Sequence, residues 1–292
     1  MSESAICIGV VSAGAMGSGL ARAWRAGGVD VVTTVAGRSP RTAGLAADAG
    51  LRLLAGLDEV VQAADLVVSI GPPDQAGQIA ASIAAAARRT GSRPLVADLN
   101  AVSPQSVQAI ATRLADAGLD LVDGSISGGP PRPGGTTRLY LSGSRAQELA
   151  LVADGLAVRV VGVRIGTASA VKMCTASVFK GFSALLTQAL LTAHAHGVED
   201  LVVDDLARDF PDDMARLPRE LSVAASKAWR YVGEMREISA TQGAAGARPE
   251  LFDAMAEVWT MVSGRALGQL TPEEAIGPSS LAAVLEDLAR VL

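Results

Sequence analysis

The amino-acid sequence predicts that the first half of this chain forms an α/β fold, a doubly wound and mostly parallel sheet. Short apolar runs, each long enough for one buried strand, alternate with longer segments of helical character. A glycine-rich turn follows the first apolar run, and small or polar residues follow several others. The strand ends of such a sheet open onto a ligand crevice. We expect one domain over residues 1–165 and a second over residues 166–292, where a long helix replaces the alternation.

The strands and helices of the first domain follow from the order of these runs. The first strand is expected over Ala5–Val11, a helix over Leu20–Ala26 after the glycine-rich turn, and a second strand over Val31–Ala36. Further strands are predicted over Leu66–Ile70, Pro94–Leu99, Asp120–Asp123 and Arg138–Leu141, and further helices over Thr42–Ala49, Leu57–Ala63, Gln75–Arg89 and Pro104–Ala117.

Composition and charge favour a globular protein and argue against several other classes. Of the 292 residues, 49% are hydrophobic and 19% charged, which supplies ample core. The net charge of −5, without a Lys/Arg run, argues against a nucleic-acid partner. Cys7 and Cys174 have no metal-binding spacing, and we expect both to be buried thiols in a reducing compartment. No uninterrupted apolar run has membrane-spanning length, so we expect a cytoplasmic protein with no membrane partner and no metal.

The glycine-rich turn, Ile8–Gly19, has the spacing of a dinucleotide-binding loop. Gly14 and Gly17 stand at the second and third glycines of the Gly-x-Gly-x-x-Gly pattern, and Ser12 replaces the first. Small residues there let the backbone approach a pyrophosphate, which then lies on the unpaired N–H groups of the helix N-terminus. An ordinary tight turn is the alternative. The expected dinucleotide contacts are Ser12, Ala13, Gly14, Ala15 and Met16.

The segment after the second apolar run favours NADP(H) over NAD(H). It reads Gly37-Arg38-Ser39-Pro40-Arg41 and stands where NAD-binding proteins place an acidic residue for the ribose 2′-hydroxyl. No acid is present. Arg38, Ser39 and Arg41 suit a 2′-phosphate instead, because guanidinium groups bind phosphate oxygens through paired, charge-assisted hydrogen bonds. A solvated basic loop is the alternative.

Other predicted strand ends carry small or polar residues that add to the crevice. Gly71 and Pro72 follow one strand and Asn100 follows the next, and we expect all three near the cofactor. Ser127-Gly128-Gly129 presents a hydroxyl and two backbone N–H groups, which together bind a carboxylate without a positive charge. Turn chemistry alone also explains each of these segments.

A long helix is predicted over Ser169–His196, with Lys172 and Lys180 as its only formal charges. A helix that is apolar on nearly every face must be buried on nearly every side, and the remaining chain looks too short to surround it. We therefore expect a homodimer. Lys172 is the candidate acid/base group and Lys180 the reserve candidate; a lysine that only reaches toward water is the alternative.

These residues together resemble the β-hydroxyacid dehydrogenase family, which includes 3-hydroxyisobutyrate, tartronate semialdehyde and 6-phosphogluconate dehydrogenases. The resemblance spans nearly the whole chain and rests on Gly14-Ala15-Met16-Gly17, Ser127-Gly128-Gly129 and Gly166 followed by Lys172. The segments 172–181 and 233–238 most resemble a branch described as phosphogluconate-dehydrogenase-like oxidoreductases. The resemblance implies a Rossmann domain joined by a long helix to an all-α domain that dimerises. It also implies that the Ser-Gly-Gly element holds the substrate carboxylate and that Lys172 is the general acid/base.

Two positions depart from the family pattern. The family usually carries asparagine one turn after the lysine, where this chain has Ala176 with Thr175 beside it, and Thr175 becomes a candidate substrate contact. Gly233-Glu234-Met235 stands where a Lys-Asp-Leu segment is expected. The substrate therefore need not be a simple hydroxy acid.

The sequence thus predicts hydride transfer between NADP(H) and a small carboxylate-bearing β-hydroxy acid or its carbonyl counterpart. An NADPH-dependent imine reductase is the first alternative, because imine reductases share the architecture, although they generally lack the lysine. An NADP(H)-binding sensor without hydride chemistry is the second.

Overall fold

The structure is a computed structural model that describes residues 6–132, 134–153, 156–276 and 280–290. It divides into two compact units, Met1–Met173 and Cys174–Leu292. The division falls inside the long helix, whereas the boundary expected at residues 165 and 166 lies just before that helix begins. The predicted start of the first strand, Ala5, lies outside the described residues.

The described part of the first unit contains one eight-stranded sheet. Its strands are β1 (Cys7–Val11), β2 (Asp30–Thr33), β3 (Arg52–Leu53), β4 (Leu66–Ser69), β5 (Leu95–Asp98), β6 (Leu121–Ser127), β7 (Arg138–Ser142) and β8 (Ala157–Gly162). They lie in the order β3-β2-β1-β4-β5-β6-β7-β8, and neighbours are parallel except for β6 and β7. The prediction of a doubly wound, mostly parallel sheet is confirmed.

Helices cover both faces of this sheet. They are α1 (Ala15–Ala26), α2 (Pro40–Asp48), α3 (Leu57–Ala63), α4 (Ala76–Thr90), α5 (Pro104–Ala115) and α6 (Ala146–Val152). Side chains alternate across a strand, so Ile8 and Val10 join one core with Trp24 of α1. Val67 of β4 joins a separate core with Ile83 of α4. Two apolar layers therefore fix the strands from both sides.

In the first unit, the strands β3 and β8 and the helix α6 were not predicted, and several ends were misplaced. β3 has only two residues, both exposed, and Arg159 interrupts the apolar residues of β8, which is at most half-buried. β6 extends to Ser127, beyond the predicted end at Asp123, because antiparallel pairing with β7 holds its small and polar residues. α1 begins at Ala15, within the glycine-rich turn.

The second unit is helical in its described residues. The helix α7 (Thr167–Ala195) begins in the first unit and continues into the second, within two residues of its predicted bounds at both ends. It is followed by α8 (Glu199–Asp209), α9 (Pro211–Ala225), α10 (Ala228–Ala244), α11 (Glu250–Ser263), α12 (Ala266–Gln269) and α13 (Leu281–Ala289). Within the described ranges, α7 is long and apolar enough to resemble a membrane span, a test that a core helix also passes.

The two cysteines differ in their surroundings. Cys7 is buried in β1 as predicted, and its burial raises the pKa of the thiol to about 11. The prediction that Cys174 is buried is wrong: it is exposed on α7. Most residues of this helix are apolar, so the sequence pattern did not distinguish its covered face from its open one.

We expect Gly17→Ala to lower the free energy of unfolding by about 1–3 kcal/mol, the usual cost of overpacking. A Cβ at Gly17 would lie 2.6 Å from the carbonyl oxygen of Ser12. That oxygen belongs to the backbone and cannot move aside easily. Urea unfolding followed by circular dichroism measures the change. Gly44→Ala in α2 is the matched control, because a Cβ there meets no atom within 4 Å. It should raise stability by about 0.5–1 kcal/mol through helix propensity. Equal effects of the two substitutions would contradict the packing argument.

Candidate active site

The sheet topology brings the candidate residues of the first unit to one edge. β1 lies between β2 and β4. The strands β2 and β3 follow on one side of β1, and the strands from β4 onward lie on its other side, so the strand order reverses at β1. Crevices at such a switch point, outside the carboxyl ends of the strands, are where open α/β sheets bind ligands. The glycine-rich turn follows β1, the Arg38–Arg41 segment follows β2, Gly71 follows β4 and Asn100 follows β5. The structure therefore places these four predicted segments at adjoining strand ends.

The glycine-rich turn has the backbone geometry that a dinucleotide requires. Ser12, which replaces the first glycine of the pattern, has φ = 74°, and within the described residues it is the one non-glycine residue at positive φ. Gly17 packs directly on the Ser12 carbonyl, so only glycine fits there. A Cβ at Gly14 would meet no atom within 4 Å, and its surface faces open space. A bulky ligand can thus reach the backbone at Gly14.

The N-terminus of α1 is free to bind an anion. Gly14 provides no side-chain cap, and the first turn of α1 contains no acidic residue. The Ser18 N–H donates to the Gly14 carbonyl at 2.8 Å, which is the first bond of the helical ladder at this end. The N–H groups of Ala15, Met16 and Gly17 precede that bond and are the orphan donors of the helix start. This donor set fits the pyrophosphate of a nicotinamide cofactor.

The loop after β2 keeps two of its polar groups exposed and uses the third as a cap. The Ser39 hydroxyl accepts a hydrogen bond from the Thr42 N–H at 3.3 Å and so caps α2. Arg38 and Arg41 are both exposed, and within the described residues the side chain of Arg38 makes no hydrogen bond or ion pair. Arg38 is therefore available to an external anion beside the strand that pairs with β1.

The buried Asn100 side chain links the carboxyl ends of β4 and β5. Its side-chain amide donates to the Ser69 hydroxyl at 2.9 Å and to the Asp98 carboxylate at 2.8 Å, and its side-chain oxygen accepts from the Gly71 N–H. The side chain is buried. Asn100 therefore orders the Gly71-Pro72 turn, and its amide hydrogens are already used within the protein.

The Ser127-Gly128-Gly129 element ends β6 in an open turn. Gly128 has φ = 106°, a left-handed conformation that favours glycine. The Thr137 hydroxyl donates to the Gly129 carbonyl at 2.8 Å and fixes the turn. Across the described ranges, neither the Ser127 hydroxyl nor the N–H groups of Gly128 and Gly129 make a hydrogen bond. The geometry leaves three donors for a carboxylate.

The structure brings Lys172 to this element. The Lys172 ammonium donates to the carbonyl of Ile126 at 2.7 Å, and Ile126 is the residue immediately before Ser127. Both residues belong to the first unit, and Lys172 is half-buried. The side chain thus turns back to the sheet instead of extending into water. Arg132 and Arg138, two further arginines near this turn, are exposed.

The residues after Lys172 on α7 have mixed surroundings. Thr175, three residues later, is exposed, and Ala176 is buried. Lys180, the reserve acid/base candidate, forms an ion pair with the buried carboxylate of Glu234 in the second unit. Its ammonium also lies 4.4 Å from the centre of the Tyr231 ring. Lys180 therefore has a structural partner of its own.

Glu234 is shared by two cations. The Arg230 guanidinium donates to the second oxygen of Glu234 at 2.8 Å, one turn earlier on α10. Burial lowers the pKa of Arg230 and raises the pKa of Tyr231. The sequence singled out Gly233-Glu234-Met235 only as a departure from a Lys-Asp-Leu segment. Arg230 stands four residues before Glu234, but Lys180 lies on another helix, where spacing could not reveal it.

Two buried carboxylates were also missed as ordering groups. Asp98 and Asp123 are neighbours in the register of β5 and β6, and both are fully buried. Asp98 binds the backbone and side chain of Asn100. Asp123 binds the start of α7. The only signal in the sequence was an acidic residue within an apolar strand, which is rarely buried without partners.

Two family models match the chain. Residues 7–160, more than half of the chain, match the NAD binding domain of 6-phosphogluconate dehydrogenase, and residues 193–262 match a domain of unknown function, DUF1932. An uncharacterized 28.5 kDa protein encoded in the 7S RNA 5′ region of Methanothermus fervidus is 26% identical over 181 residues, which are 61% of this chain and 67% of that protein.

Solved structures share the architecture. A conserved protein of unknown function, described as structurally similar to 3-hydroxyacid dehydrogenases, is 29% identical with a TM-score of 0.61, over 88% of this chain and 97% of its own. The 3-hydroxyisobutyrate dehydrogenase of Salmonella typhimurium is 21% identical with a TM-score of 0.69, over 93% and 99%. The imine reductase of Myxococcus stipitatus in complex with NADP+ is 19% identical with a TM-score of 0.54, over 97% and 99%.

The last two structures show that the fold is shared, and the family model identifies the first half of the chain as an NAD binding domain. Its match covers the sheet and the glycine-rich turn, whose geometry fits a nicotinamide dinucleotide. The chain therefore belongs to the β-hydroxyacid dehydrogenase-like family of NAD(P)-dependent oxidoreductases.

Proposed function

We propose that this protein transfers a hydride between NADP(H) and a small carboxylate-bearing β-hydroxy acid or its carbonyl counterpart. The observation that carries the proposal is the 2.7 Å hydrogen bond from Lys172 to the Ile126 carbonyl. This contact puts a proton donor next in the chain to the three donors of Ser127-Gly128-Gly129, which no residue in the described ranges occupies. A group that moves a proton and a group that holds a carboxylate thus lie next to each other.

Different residues bind the substrate and transfer its proton. The Ser127 hydroxyl and the N–H groups of Gly128 and Gly129 bind the substrate carboxylate. Lys172 gives a proton to the carbonyl oxygen during reduction and takes it from the hydroxyl during oxidation. The bound nicotinamide supplies or accepts the hydride. The cofactor is held by Ser12–Met16, with Gly71, Pro72 and Asn100 ordering the neighbouring strand ends.

The preference for NADP(H) rests on the loop after β2. Arg38 is exposed and unpaired among the described residues, and Arg41 is exposed beside it. Two guanidinium groups suit a 2′-phosphate, and the loop carries no acid for a 2′-hydroxyl. Ser39 caps α2 and thereby fixes the loop between them.

Imine reduction is the second candidate. The M. stipitatus imine reductase, bound to NADP+, shares the fold over nearly the whole chain. Protonation of an imine nitrogen needs a positioned donor as well, and Lys172 fills that role for either bond. We favour C–O chemistry because the Ser127-Gly128-Gly129 donors call for a carboxylate on the substrate.

A non-catalytic sensor of NADP(H) is the candidate from another class. A fluorescence titration with NADPH, followed by a turnover screen of hydroxy acids, keto acids and cyclic imines, separates the three functions. We expect NADPH binding and turnover of one carboxylate-bearing alcohol or ketone. Binding with turnover of imines alone supports the second candidate, and binding without any turnover supports the sensor.

We also propose that the protein is a homodimer. Val178, Phe182 and Leu185 form an exposed stripe on α7, and the adjacent Phe179 is 74% exposed. Apolar side chains recurring at this helical spacing mark a face that packs on another surface. A second copy of the same helix region is the occupant that the family resemblance implies.

Lys172→Ala should lower the turnover number by roughly 10²- to 10⁴-fold, the usual contribution of a positioned acid/base group. The dissociation constant for NADPH should change little, because the dinucleotide contacts lie on other loops. Lys172→Arg should not restore turnover, since a guanidinium stays protonated. Steady-state kinetics on the substrate found in the screen measures the effect. Lys227→Ala, in the second unit, is the control. Near wild-type turnover in Lys172→Ala would remove Lys172 from the mechanism.

Arg38→Ala should weaken NADPH binding by about 1.5–3 kcal/mol, the range for hydrogen bonds to charged groups, and leave NADH binding nearly unchanged. The matched control is Arg113→Ala on α5, which removes another exposed arginine of the same unit. Dissociation constants from fluorescence titration decide the outcome. Equal affinity of the wild-type protein for NADPH and NADH would contradict the NADP(H) assignment.

Leu185→Asp should convert the dimer to monomer at micromolar concentration. Leu185 is 61% exposed in the single chain, so the change costs the monomer little, whereas a carboxylate buried in an interface costs several kcal/mol. Leu151→Asp, on α6 and 73% exposed, is the matched control and should leave the dimer intact. Light scattering reports the mass. A well-folded wild-type monomer would show that this apolar face does not mediate dimerisation.

A further inference from the structure

The buried carboxylate of Asp123 connects the sheet to the first turn of α7. Asp123 lies in β6 and is fully buried. It accepts hydrogen bonds from the N–H groups of Gly166, Ala168 and Ser169 at 2.8, 3.0 and 3.2 Å. It also accepts from the hydroxyls of Ser142 and Ser169, both at 2.7 Å. The side chain therefore takes up orphan donors at the start of the helix that carries Lys172.

Two further contacts keep this turn in register with β6. The Ser142 hydroxyl of β7 also accepts from the Ala168 N–H at 3.1 Å, and the Ser125 hydroxyl of β6 donates to the Ala168 carbonyl at 2.8 Å. Gly166, with φ = 98°, supplies the left-handed turn that leads the chain into the helix. Strand and helix are thus held together at several atoms, all within the first unit.

The geometry of the Lys172 contact depends on this junction. Lys172 stands three residues after Ser169 on α7, and Ile126 stands three residues after Asp123 on β6. The Asp123 bonds and the Lys172–Ile126 bond therefore join the same strand to the same helix, about one helical turn apart. A shift of the helix start along β6 would move the Lys172 ammonium away from the Ile126 carbonyl.

We propose that Asp123 is a positioning residue for Lys172: its buried carboxylate sets where α7 begins on β6 and thereby aims the Lys172 ammonium at the Ser127-Gly128-Gly129 turn. The proposal rests on the proposed function of Lys172 as the acid/base group. The charge of Asp123 is suited to the task. A carboxylate accepts several hydrogen bonds at once and is favoured at a helix N-terminus, where the backbone N–H groups carry partial positive charge.

Asparagine is the replacement at this position that tests the carboxylate most directly. Asp123→Asn keeps the shape of the side chain but puts N–H donors where an acceptor is needed. With its nitrogen at the Oδ2 position the amide would face the N–H groups of Gly166, Ala168 and Ser169. With its nitrogen at the Oδ1 position the Ser169 hydroxyl would have to turn and accept, and in both orientations the negative charge at the helix start is lost. Lys172 should then lose part of its contact with Ile126.

The reactivity of Lys172 measures its position directly, without a substrate. The chain has three lysines, Lys172, Lys180 and Lys227, so trace labelling of the full-length protein with acetic anhydride can be read at each by mass spectrometry. We expect Asp123→Asn to raise the labelling rate of Lys172, relative to Lys227, by roughly two- to tenfold, the factor that one ordinary hydrogen bond represents. The pH profile of Lys172 labelling should shift as well, and that of Lys227 should not.

Asp98→Asn is the matched control. Asp98 is equally buried and is the register partner of Asp123 on the neighbouring strand, and its carboxylate accepts hydrogen bonds from Asn100. It should destabilise the fold without changing the labelling of Lys172. If Asp123→Asn does not fold, Ser169→Ala removes one Asp123 contact and should produce a smaller increase in the same direction.

Unchanged labelling of Lys172 in folded Asp123→Asn and in Ser169→Ala would overturn the proposal, and so would an equal increase in Asp98→Asn. The turnover of Lys172→Ala tests the acid/base role separately. If Asp123→Asn changes the labelling of Lys172 but Lys172→Ala keeps wild-type turnover, the positioning role is supported and the acid/base role is rejected. Failure of the positioning proposal is therefore distinguishable from failure of the proposed function.

Discussion

The hydrogen bonds around Asp123 are the interaction on which the candidate site depends. They fix the first turn of α7 on β6 and, through Ser142, on β7. Burying a carboxylate is costly unless its oxygens are satisfied, and here backbone N–H groups and hydroxyls satisfy them. The same strand continues into Ser127-Gly128-Gly129, and the same helix carries Lys172. One junction therefore fixes the position of Lys172 relative to the Ser127-Gly128-Gly129 turn.

Both candidate anion-binding places of the first unit are built mainly from backbone donors. The start of α1 and the Ser127-Gly128-Gly129 turn present N–H groups that no described residue occupies. Backbone donors need no positive side chain, which suits a chain with a net charge of −5. They require close approach instead, and this explains the open space at Gly14 and the positive φ of Gly128. Ser12 adopts a similar φ without being glycine, so the turn carries local strain beside the crevice.

The second unit balances a buried charge with neighbouring cations. Glu234 is held between Lys180 and Arg230, with the Tyr231 ring under the lysine. A carboxylate in this position is stable only because its partners stay with it, since removing one partner of a buried pair leaves an uncompensated charge. Gly233-Glu234-Met235 stands where a Lys-Asp-Leu segment is expected, so glycine replaces the lysine and Glu234 retains an acid. That acid has its own cation partners within the second unit.

The sequence by itself determined the parallel sheet, the long helix and the location of the glycine-rich turn, because these follow from apolar periodicity and from glycine spacing along a continuous stretch of chain. It also singled out Lys172, as one of two charges on an apolar helix, and Ser127-Gly128-Gly129, as a hydroxyl with two backbone donors; a family resemblance implied the same roles. Tertiary structure alone decided that Lys172 reaches Ile126, that Asp123 and Asn100 order strand ends from within, and that Cys174 is exposed. These features join residues that lie far apart in the chain or depend on which face of an apolar helix is covered. No local pattern records them, since each is the outcome of packing between elements.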